Sequence, residues 1–428
     1  MRKALVISYH WPPSRSAGAQ RISLFCKYLP EFGYETLVLT AGPRDSAPEG
    51  AGSSVEGVRL RPVSYWFNPA GPVKSGNAAR GMAAGAGASG GLWKAAKQFV
   101  WLNLFIPDSR IGWYRPSRKA IDELVEKEAF DIVVSTAPPY TAHLLGKYVK
   151  ERHGLPWVVD MRDPWLENHV YNSGPRLWSA RYLNALLERR VLERADRVVC
   201  AMESQRELLS AKVPERERSK FSVITNGYDS AKVVGPLRDT GRFTMSYFGT
   251  SYEKGFPLRF IDQVAGLIRR DEDLSRDCVV RVVGETPGSI RSHLDAAIPG
   301  KNLEIRPHMP HEQFNRLLYE KQVLLLVVNE DPLHRYSLPS KLFEYLPTGN
   351  PVLGIGPRDH EAALILRETG TGEMFSSHDE EGVRSFIRGR YEEWREGRGG
   401  REGRRFPLYE RRNQAGVLAG ILDGVLGA

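Results

Sequence analysis

The chain alternates short apolar runs with longer, more polar stretches over most of its length. Apolar runs with little polar interruption are typical of strands buried on both faces of a parallel sheet. Strand, helix and strand in regular succession predict parallel, doubly wound sheets. The strands are predicted at residues 4–9, 36–39, 57–62, 131–135, 156–165, 198–201, 221–224, 243–248, 278–283, 303–306, 323–328 and 352–355.

The 428 residues exceed what one hydrophobic core usually serves, so two domains are expected. A polar stretch with a Gly-Pro pair, residues 233–242, is the predicted linker between domains at 1–232 and 243–405. Residues 406–428 are expected to form a C-terminal helix that packs back on the first domain. Residues 70–91, rich in Ala, Gly and Ser, are expected to be a flexible insertion.

One stretch, residues 337–356 (SLPSKLFEYLPTGNPVLGIG), combines a strand, a helix and chemistry-bearing side chains. The helix is predicted to open at Leu338 and Ser340, where free backbone amides favour an anionic phosphate. Lys341 and Glu344 share a helix face with Ser340, and a carboxylate there can accept hydrogen bonds from ribose hydroxyls. The alternative is an ordinary α/β unit in which the glutamate and the lysine are solvated.

Glycines follow the first strand of each predicted domain. Gly18 lies where the loop after the first strand meets the next helix, and Gly255 follows Lys254 in the turn after the strand at 243–248. Glycine allows backbone to approach a ligand closely. A plain turn between strand and helix is the alternative.

Charged side chains follow the strand that begins at residue 156. Asp160, Arg162 and Asp163 are expected at the carboxyl ends of parallel strands, where ligands of open sheets bind. These residues are therefore candidates for catalysis. A structural salt bridge between Arg162 and one of the aspartates is the competing interpretation.

The amino-acid composition limits the kinds of partner that the protein is expected to bind. The formal net charge of +9 permits nucleic acid, an anionic membrane surface or phosphorylated substrates. The cations are not gathered on a known nucleic-acid reader motif, so no nucleic-acid partner is expected. Residues 92–107 are expected to form either an interfacial amphipathic helix or a core helix. Its aromatic and basic residues are Trp93, Lys94, Lys97, Phe99, Trp101 and Phe105.

The chain carries no apolar run of membrane-spanning length, and the apolar part of its N-terminus is too short for a signal peptide. Its three cysteines, Cys26, Cys200 and Cys278, form neither a zinc pattern nor a disulfide framework. A cytoplasmic protein is therefore expected, with peripheral attachment to the inner face of the cell membrane as an alternative that stays open.

Taken in order, the motifs HWPPSRSAGAQR, SVITNGYD, YFGTSYEKGFP and SLPSKLFEYLPTGNPVLGIG resemble those of the GT-B glycosyltransferases of family 4. The segments GWYRPSRKAI, DIVVSTAPPYTAHLLG and WVVDMRDPW resemble a bacterial branch associated with surface polysaccharides. The resemblance spans nearly the whole chain. It implies an α/β fold of two doubly wound Rossmann-like domains facing a cleft.

This resemblance implies retaining transfer of a sugar from a nucleoside-diphosphate sugar, with a UDP-sugar expected, and without metal or cofactor. The acceptor would be a glycan or a polyprenyl-linked lipid in surface polysaccharide synthesis. Glu344 would hold the ribose, the amides near Ser340 together with Lys254 would hold the diphosphate, and Gly18 would approach the donor. The implied donor-binding residues are Gly18, Lys254, Gly255, His308, Leu338, Ser340, Lys341 and Glu344.

Three positions depart from the family pattern. Tyr336 stands where the family has a first glutamate, Thr250 where it has an arginine, and Arg162 where it has a histidine. Asp160 or Asp163 could then orient the acceptor hydroxyl, with Arg162 as the third catalytic candidate. Two alternatives stay open: a non-catalytic subunit that binds a nucleotide sugar or glycan, and a nucleotide-sugar epimerase of the same fold.

Overall fold

The structure is a computed structural model, and it describes residues 1–14, 16–42, 55, 57–65, 91–168, 171–172, 174–232, 237–251, 253, 255–398 and 403–427. Most of the predicted insertion at 70–91 and part of the predicted linker at 233–242 lie outside these residues. The strands are β1 Arg2–Ser8, β2 Tyr34–Ala41, β3 Arg59–Val63, β4 Ile132–Ala137, β5 Trp157–Met161, β6 Arg197–Cys200, β7 Phe221–Val223, β8 Phe243–Phe248, β9 Cys278–Val283, β10 Leu303–Arg306, β11 Val323–Val327, β12 Val352–Ile355 and β13 Gly372–Phe375.

The α-helices alternate with these strands. They are α1 Ala17–Tyr28, α2 Gly91–Leu104, α3 Tyr114–Lys127, α4 Thr141–His153, α5 Trp178–Arg194, α6 Glu203–Ser210, α7 Leu258–Arg270, α8 Glu272–Asp277, α9 Gly288–Ala297, α10 His311–Leu318, α11 Ser340–Tyr345, α12 Glu361–Thr369, α13 Glu380–Arg395 and α14 Arg411–Leu426. The chain divides into two compact units: unit 1 is residues 1–226 with 411–428, and unit 2 is residues 227–410.

Unit 1 is built on a parallel sheet with the strand order β3-β2-β1-β4-β5-β6-β7. Strand β4 is buried along its whole length, as expected for a central strand covered by helices on both faces. Three tryptophans, Trp113, Trp157 and Trp165, lie among the largest fully buried side chains on one face of the sheet.

The C-terminal helix α14 belongs to unit 1. Its apolar face, with Leu418 and Leu422, joins the core formed with Ile22 and Phe25 of α1. At its far end, Asp423 accepts a hydrogen bond of 2.7 Å from the Tyr34 hydroxyl. The chain therefore enters unit 1 a second time at residue 411, whereas the sequence places the beginning of this segment at 406.

Unit 2 repeats the same plan, with the parallel strand order β10-β9-β8-β11-β12-β13. Residues of α7, α9 and α13 pack on β8, β9 and β11 to form its core. The fold class, two Rossmann-like α/β domains, is therefore as the sequence predicts.

Two elements of unit 2 differ from expectation. Strand β13 is not among the predicted strands, because Gly372 and Glu373 interrupt the apolar pattern. The helix predicted to open at Leu338 and Ser340 begins at Ser340, is α-helical only as far as Tyr345 and continues as a 3-10 turn over Leu346–Thr348. Pro347 lacks the N–H that a further α-helical turn needs.

Candidate functional site

In unit 2, the strand order reverses direction between β8 and β11. Because β8 and β11 are neighbours but are separated in sequence by β9 and β10, the loops that follow them leave the sheet in opposite directions. Open α/β sheets bind their ligands at the carboxyl ends of the strands at such a switch point. The loop 249–257 follows β8 and the loop 328–339 follows β11, so both border this edge.

The loop after β8 packs closely against the chain after β9 because glycine lies at the contact. Gly284, at a φ of +138°, leaves no room for a Cβ, which would overlap the carbonyl oxygen of Gly249. The Gly249 amide donates to the Val283 carbonyl at 2.9 Å, and the Ser251 amide donates to the Glu285 carbonyl at 2.9 Å. These contacts hold backbone, rather than side chains, at the edge of the sheet.

The glycine after the predicted cation contacts the neighbouring loop. At Gly255, with a φ of +106°, a Cβ would overlap the side-chain amide of Asn329, which follows β11. Gly255 thus brings the loops after β8 and β11 together, as the switch-point geometry requires. Lys254, the predicted diphosphate ligand beside it, lies outside the described residues.

Helix α11 presents the acidic and basic pair that the sequence predicts. The Nζ atom of Lys341 lies 2.9 Å from Oε2 of Glu344, and both side chains are about one-third exposed. The same Nζ atom lies 4.0 Å from the centroid of the Phe314 ring, which packs edge-on against Phe248. Ser340 begins the helix; the Leu342 amide donates to the Pro339 carbonyl at 3.1 Å, and the two amides before it have no intrahelical partner.

The remaining predicted donor residues differ in how they are placed. Leu338 is buried and therefore anchors the start of α11 rather than presenting its side chain. His308 is exposed and follows β10, the outer strand of the sheet, with β9 between β10 and β8. The structure thus brings Gly255, Ser340, Lys341 and Glu344 to one switch point, and their donor-binding roles stay predictions.

The carboxyl edge of unit 1 is occupied by charged side chains. Asp160, at the end of β5, is 3% exposed and accepts hydrogen bonds from Arg21 of α1 at 2.9 and 3.1 Å, and one of 2.7 Å from the Thr136 hydroxyl. Burial raises the pKa of Asp160, but Arg21 and Thr136 outweigh it and hold the pKa below its usual range. These bonds favour a structural role over the catalytic role predicted from the sequence.

Arg162 and Asp163 lie at the open end of β5. Their side chains are 14% and 27% exposed and form an ion pair of 3.1 Å. The guanidinium of Arg162 lies against Gly18, where a Cβ would overlap it. Gly18 therefore makes room for a side chain of its own unit, and its predicted approach to a donor remains untested.

Sequence reasoning missed several charged or titratable residues at this edge. His10 follows β1, and its burial, together with the nearby Arg162 and Arg110, lowers its pKa to about 4. The guanidinium of Arg110 lies 5.3 Å from the centroid of the Tyr9 ring. Asp108 accepts hydrogen bonds of 2.9 Å from the Thr141 amide and hydroxyl.

No local pattern could have found these partners. Arg21 and Asp160 are 139 positions apart, and Asp108 and Thr141 are 33 apart. The two members of each pair lie in different parts of the fold. Their pairing can therefore be recognised only when the strand order is known. The one available signal was the arginine that ends the motif HWPPSRSAGAQR.

An exposed apolar surface covers the end of α2 and the beginning of α5 in unit 1. The two helices are joined where the Leu177 amide donates to Oδ1 of Asn103 at 2.6 Å. Trp178 is 80% exposed, Leu104 71% and Tyr182 62%. We call this surface the α2–α5 patch, and its exposed members are Phe99, Val100, Leu104, Leu177, Trp178, Tyr182 and Leu183.

Part of the α2–α5 patch lies within residues 92–107, for which the sequence predicts either an interfacial amphipathic helix or a core helix. Phe99 is exposed, whereas Trp101 and Phe105 are half-buried. The side chains of Trp93, Lys94 and Lys97 lie outside the described part of the structure. Over the described ranges, no helix combines the length and apolar character needed to cross a membrane.

The described residues also contain no group of three or more His, Cys, Asp and Glu side chains that could hold a metal ion. Metal-independent transfer stays a prediction, since the substrate could itself carry a cation.

Comparison with known proteins finds a family match within the first half of the chain. Residues 16–227 match the family described as the glycosyl transferase 4-like domain. The expected resemblance to family-4-like glycosyltransferases of GT-B fold is thereby confirmed. No curated protein sequence matches the chain.

Solved structures share the fold over the whole chain. The sucrose-phosphate synthase (tll1590) from Thermosynechococcus elongatus has a TM-score of 0.61 at 13% identity, over 99% of this chain and 96% of that one. A putative UDP-N-acetylglucosamine 2-epimerase from Listeria monocytogenes has a TM-score of 0.55 at 13% identity, over 100% and 97%. WaaG, a glycosyltransferase involved in lipopolysaccharide biosynthesis, has a TM-score of 0.55 at 14% identity, over 97% and 95%. At these identities the similarity establishes the fold alone.

Proposed function

Because residues 16–227 match the glycosyl transferase 4-like domain and the chain has the GT-B fold throughout, we propose that it transfers a sugar from a nucleoside-diphosphate sugar to an acceptor. The observation that carries the proposal is the placement of Lys341 and Glu344 on α11, at the switch point of unit 2. A carboxylate that is about one-third exposed is available to a ligand there, whereas the buried Asp160 in unit 1 is not.

The donor would bind along the loops after β8 and β11. Glu344 would accept hydrogen bonds from the two ribose hydroxyls, and the paired Lys341 fixes the carboxylate in place at 2.9 Å. The first-turn amides of α11 and Lys254 would hold the diphosphate. A cation and free amides also stabilise the charge that develops on the departing diphosphate. We propose a UDP-sugar as the donor.

Arg162 and Asp163 are the proposed catalytic pair, with Asp160 as a positioning residue. Their partial exposure leaves polar atoms available to a substrate, and the ion pair of 3.1 Å orients both groups. Asp160 holds Arg21 and the end of β5, the strand from which Arg162 and Asp163 extend. We propose retaining transfer without a metal ion, which the anomeric configuration of the product and activity in chelator would test.

The acceptor is proposed to be a glycan or a polyprenyl-linked lipid of bacterial surface polysaccharide synthesis. The related fold of WaaG, a lipopolysaccharide glycosyltransferase, supports this class. The α2–α5 patch supports peripheral attachment to a membrane, because an exposed tryptophan and leucines beside Arg181 suit the interface of an anionic bilayer.

Membrane attachment is tested by flotation with anionic vesicles. Trp178→Ser should reduce the bound fraction, because Trp178 is the most exposed aromatic residue of the patch. Val417→Ser, at a half-exposed position of α14 outside the patch, is the control and should bind as the unaltered protein does. Equal flotation of the two variants would remove the patch from the proposal.

The donor site is tested by thermal-shift and calorimetric titration with UDP-, GDP-, ADP- and dTDP-sugars. A ligand that binds only the folded state raises the unfolding midpoint in proportion to its occupancy. Glu344→Ala should weaken binding of the preferred donor about 100-fold, since two hydrogen bonds to a charged group are lost. Glu368→Ala, an exposed glutamate on α12, is the matched control.

Two alternative functions can be tested with the same purified protein. An epimerase would interconvert nucleotide sugars with no acceptor present, and the shared fold of the Listeria protein supports this alternative. A non-catalytic subunit would bind a donor but neither transfer nor hydrolyse it across acceptors. Either result would replace the transferase proposal. Unchanged donor affinity in Glu344→Ala would instead reject the donor site itself.

A further inference from the structure

Unit 2 contains a cavity at the end of its sheet opposite the proposed donor site. It has a volume of about 500 Å³ and lies where β8, β11, β12 and β13 begin, covered on one side by α13. Such a volume is in the range of small-molecule sites. The donor loops leave the other ends of the same strands, about 15–20 Å away at the rise of a strand.

Two buried polar atoms on the cavity wall are unsatisfied. Gln322 is 6% exposed, and its Nε2 donates to the Leu317 and Leu318 carbonyls at 2.6 and 3.2 Å, which fixes the orientation of the amide. Among the described residues, none donates to its Oε1 atom, and none accepts from the buried Nε–H of Arg390. Two residues that line the cavity therefore carry a buried acceptor and a buried donor with no partner among the described residues, a combination that a ligand with a hydroxyl and an anionic oxygen can satisfy.

The charge of the wall favours an anion. Arg390 is oriented by Glu393, with Nη1 and Oε2 at 2.8 Å. Cations come to the cavity from three separate segments: the start of β11, helix α13 and the chain after it. The charged wall residues are Lys321, Arg390, Arg398 and Arg404, with Glu373 and Glu393 as the carboxylates. Guanidinium groups bind phosphate through paired hydrogen bonds, and the carboxylates can accept from hydroxyls.

The wall also offers an apolar surface, formed by Phe243, Phe386 and Trp394. Trp394 stacks on Tyr391 with ring centroids 5.8 Å apart, so its position is fixed by packing. An aromatic face beside hydroxyl acceptors suits the carbon skeleton of a sugar better than a bare inorganic ion.

We propose that this cavity binds a small phosphate ester of a hydroxylated metabolite, such as a sugar phosphate, at a second site separate from the donor site. The phosphate contacts Arg390 and its neighbouring cations, and a hydroxyl donates to Oε1 of Gln322. The proposal concerns binding alone, so it stands independently of the transferase activity.

The cavity is connected to the donor site through one short segment. Leu346, Gly349 and Asn350 form part of its wall, and Leu346 comes two positions after Glu344. Asn350 accepts from the Gln322 amide at 3.0 Å, and its own amide donates to Thr348 at 3.1 Å. A ligand in the cavity would therefore contact the chain segment that directly follows the helix carrying Glu344.

The test is isothermal titration calorimetry of the full chain with ribose 5-phosphate, glucose 6-phosphate and glycerol 3-phosphate. Inorganic phosphate and neutral ribose are the comparison probes. We expect saturable binding of at least one ester, tighter than either comparison probe. Arg390→Ala should weaken it about tenfold, because a charge-assisted hydrogen bond is lost.

Two variants serve as controls. Arg384→Ala removes an exposed arginine of the same helix outside the cavity, and should leave the affinity unchanged. Glu344→Ala should also keep the binding, which excludes the donor site as its location. Absence of binding, or equal affinity in Arg390→Ala and the unaltered protein, would overturn the site. Equal binding of phosphate and the esters would overturn the assignment of a hydroxylated ligand.

Discussion

The two units share one strand order around their switch points but fill the carboxyl edges differently. In unit 1, charged side chains occupy the edge: Arg21 seals Asp160, and Arg162 lies against Gly18. In unit 2, glycines bring neighbouring loops into contact at the edge: Gly284 lies against the Gly249 carbonyl, and Gly255 lies against the Asn329 side chain.

This difference shows what topology determines and what it leaves open. The strand order predicts where a ligand binds, at the switch point, but the side chains decide how much of that place is free. A backbone-lined edge presents amides to a ligand, whereas an edge filled by an ion pair presents only those groups that remain exposed. Unit 2 therefore suits phosphate binding, and the exposed Arg162 and Asp163 are what unit 1 offers to a substrate.

The largest expected effect is a difference in stability between variants of two aspartates of unit 1, Asp160 and Asp163. Asp160→Asn should lower the free energy of unfolding by about 3–5 kcal/mol, because it leaves the fully buried Arg21 without its charged partner. Asp163→Asn should cost at most about 1 kcal/mol, because its partner Arg162 is partly exposed to solvent. Urea unfolding of both variants, followed by circular dichroism, measures the difference.

Measuring sugar transfer as well as stability distinguishes the roles of the two aspartates. Asp163→Asn should reduce sugar transfer while stability is nearly unchanged, as its proposed catalytic role requires. If Asp160→Asn were as stable as the unaltered protein, the buried ion pair would not be what holds β5 to α1.

The second-largest expected effect is a difference in stability between glycine-to-alanine substitutions at the carboxyl edges of the two sheets. Gly284→Ala should destabilise the protein by about 3 kcal/mol, because its Cβ meets the fixed Gly249 carbonyl at a φ of +138°. Gly18→Ala should cost about 1 kcal/mol, because the group it meets is the end of the flexible Arg162 side chain. Thermal unfolding midpoints of the two variants test the order, and a larger loss in Gly18→Ala would contradict it.

The fold was largely predictable, because most strands of both units are continuous apolar runs. The segment with Ser340, Lys341 and Glu344 was recognisable for a similar reason: its residues are close in sequence and lie on one short helix. Strand β13 escaped prediction because glycine and glutamate begin it, and α11 ends at Tyr345 because Pro347 cannot donate the next α-helical hydrogen bond.

The site in unit 1 was less predictable. The expected salt bridge between Arg162 and a nearby aspartate does form, to Asp163, but the partner of Asp160 is Arg21, from another element. Likewise, Trp178 joins the α2–α5 patch only because α5 packs beside α2. Sequence patterns identify groups on one element, and the pairing of distant elements requires the folded structure.

The smallest expected effect is a pH dependence located in unit 1. His143, on α4 behind the filled edge, is fully buried, and this burial lowers its pKa to about 3. Its Nδ1 atom lies 2.8 Å from Oγ of Ser135, which accepts the indole N–H of Trp157 and so has its own proton to donate. Protonation of Nδ1 would reverse that hydrogen bond, so that Nδ1 donates to Oγ, and would place a charge in the core.

Because the pKa of His143 is lower in the folded chain than the ordinary 6.5 of the unfolded chain, the unfolded state binds more protons between these values. Stability is therefore lost as the pH falls below about 6.5, by up to about 1.4 kcal/mol per pH unit from this residue. Urea unfolding at pH 7, 6 and 5 should show this slope reduced in His143→Gln. His378→Gln, at an exposed position in unit 2, is the control, and an equal slope in both variants would assign the pH dependence to groups other than His143.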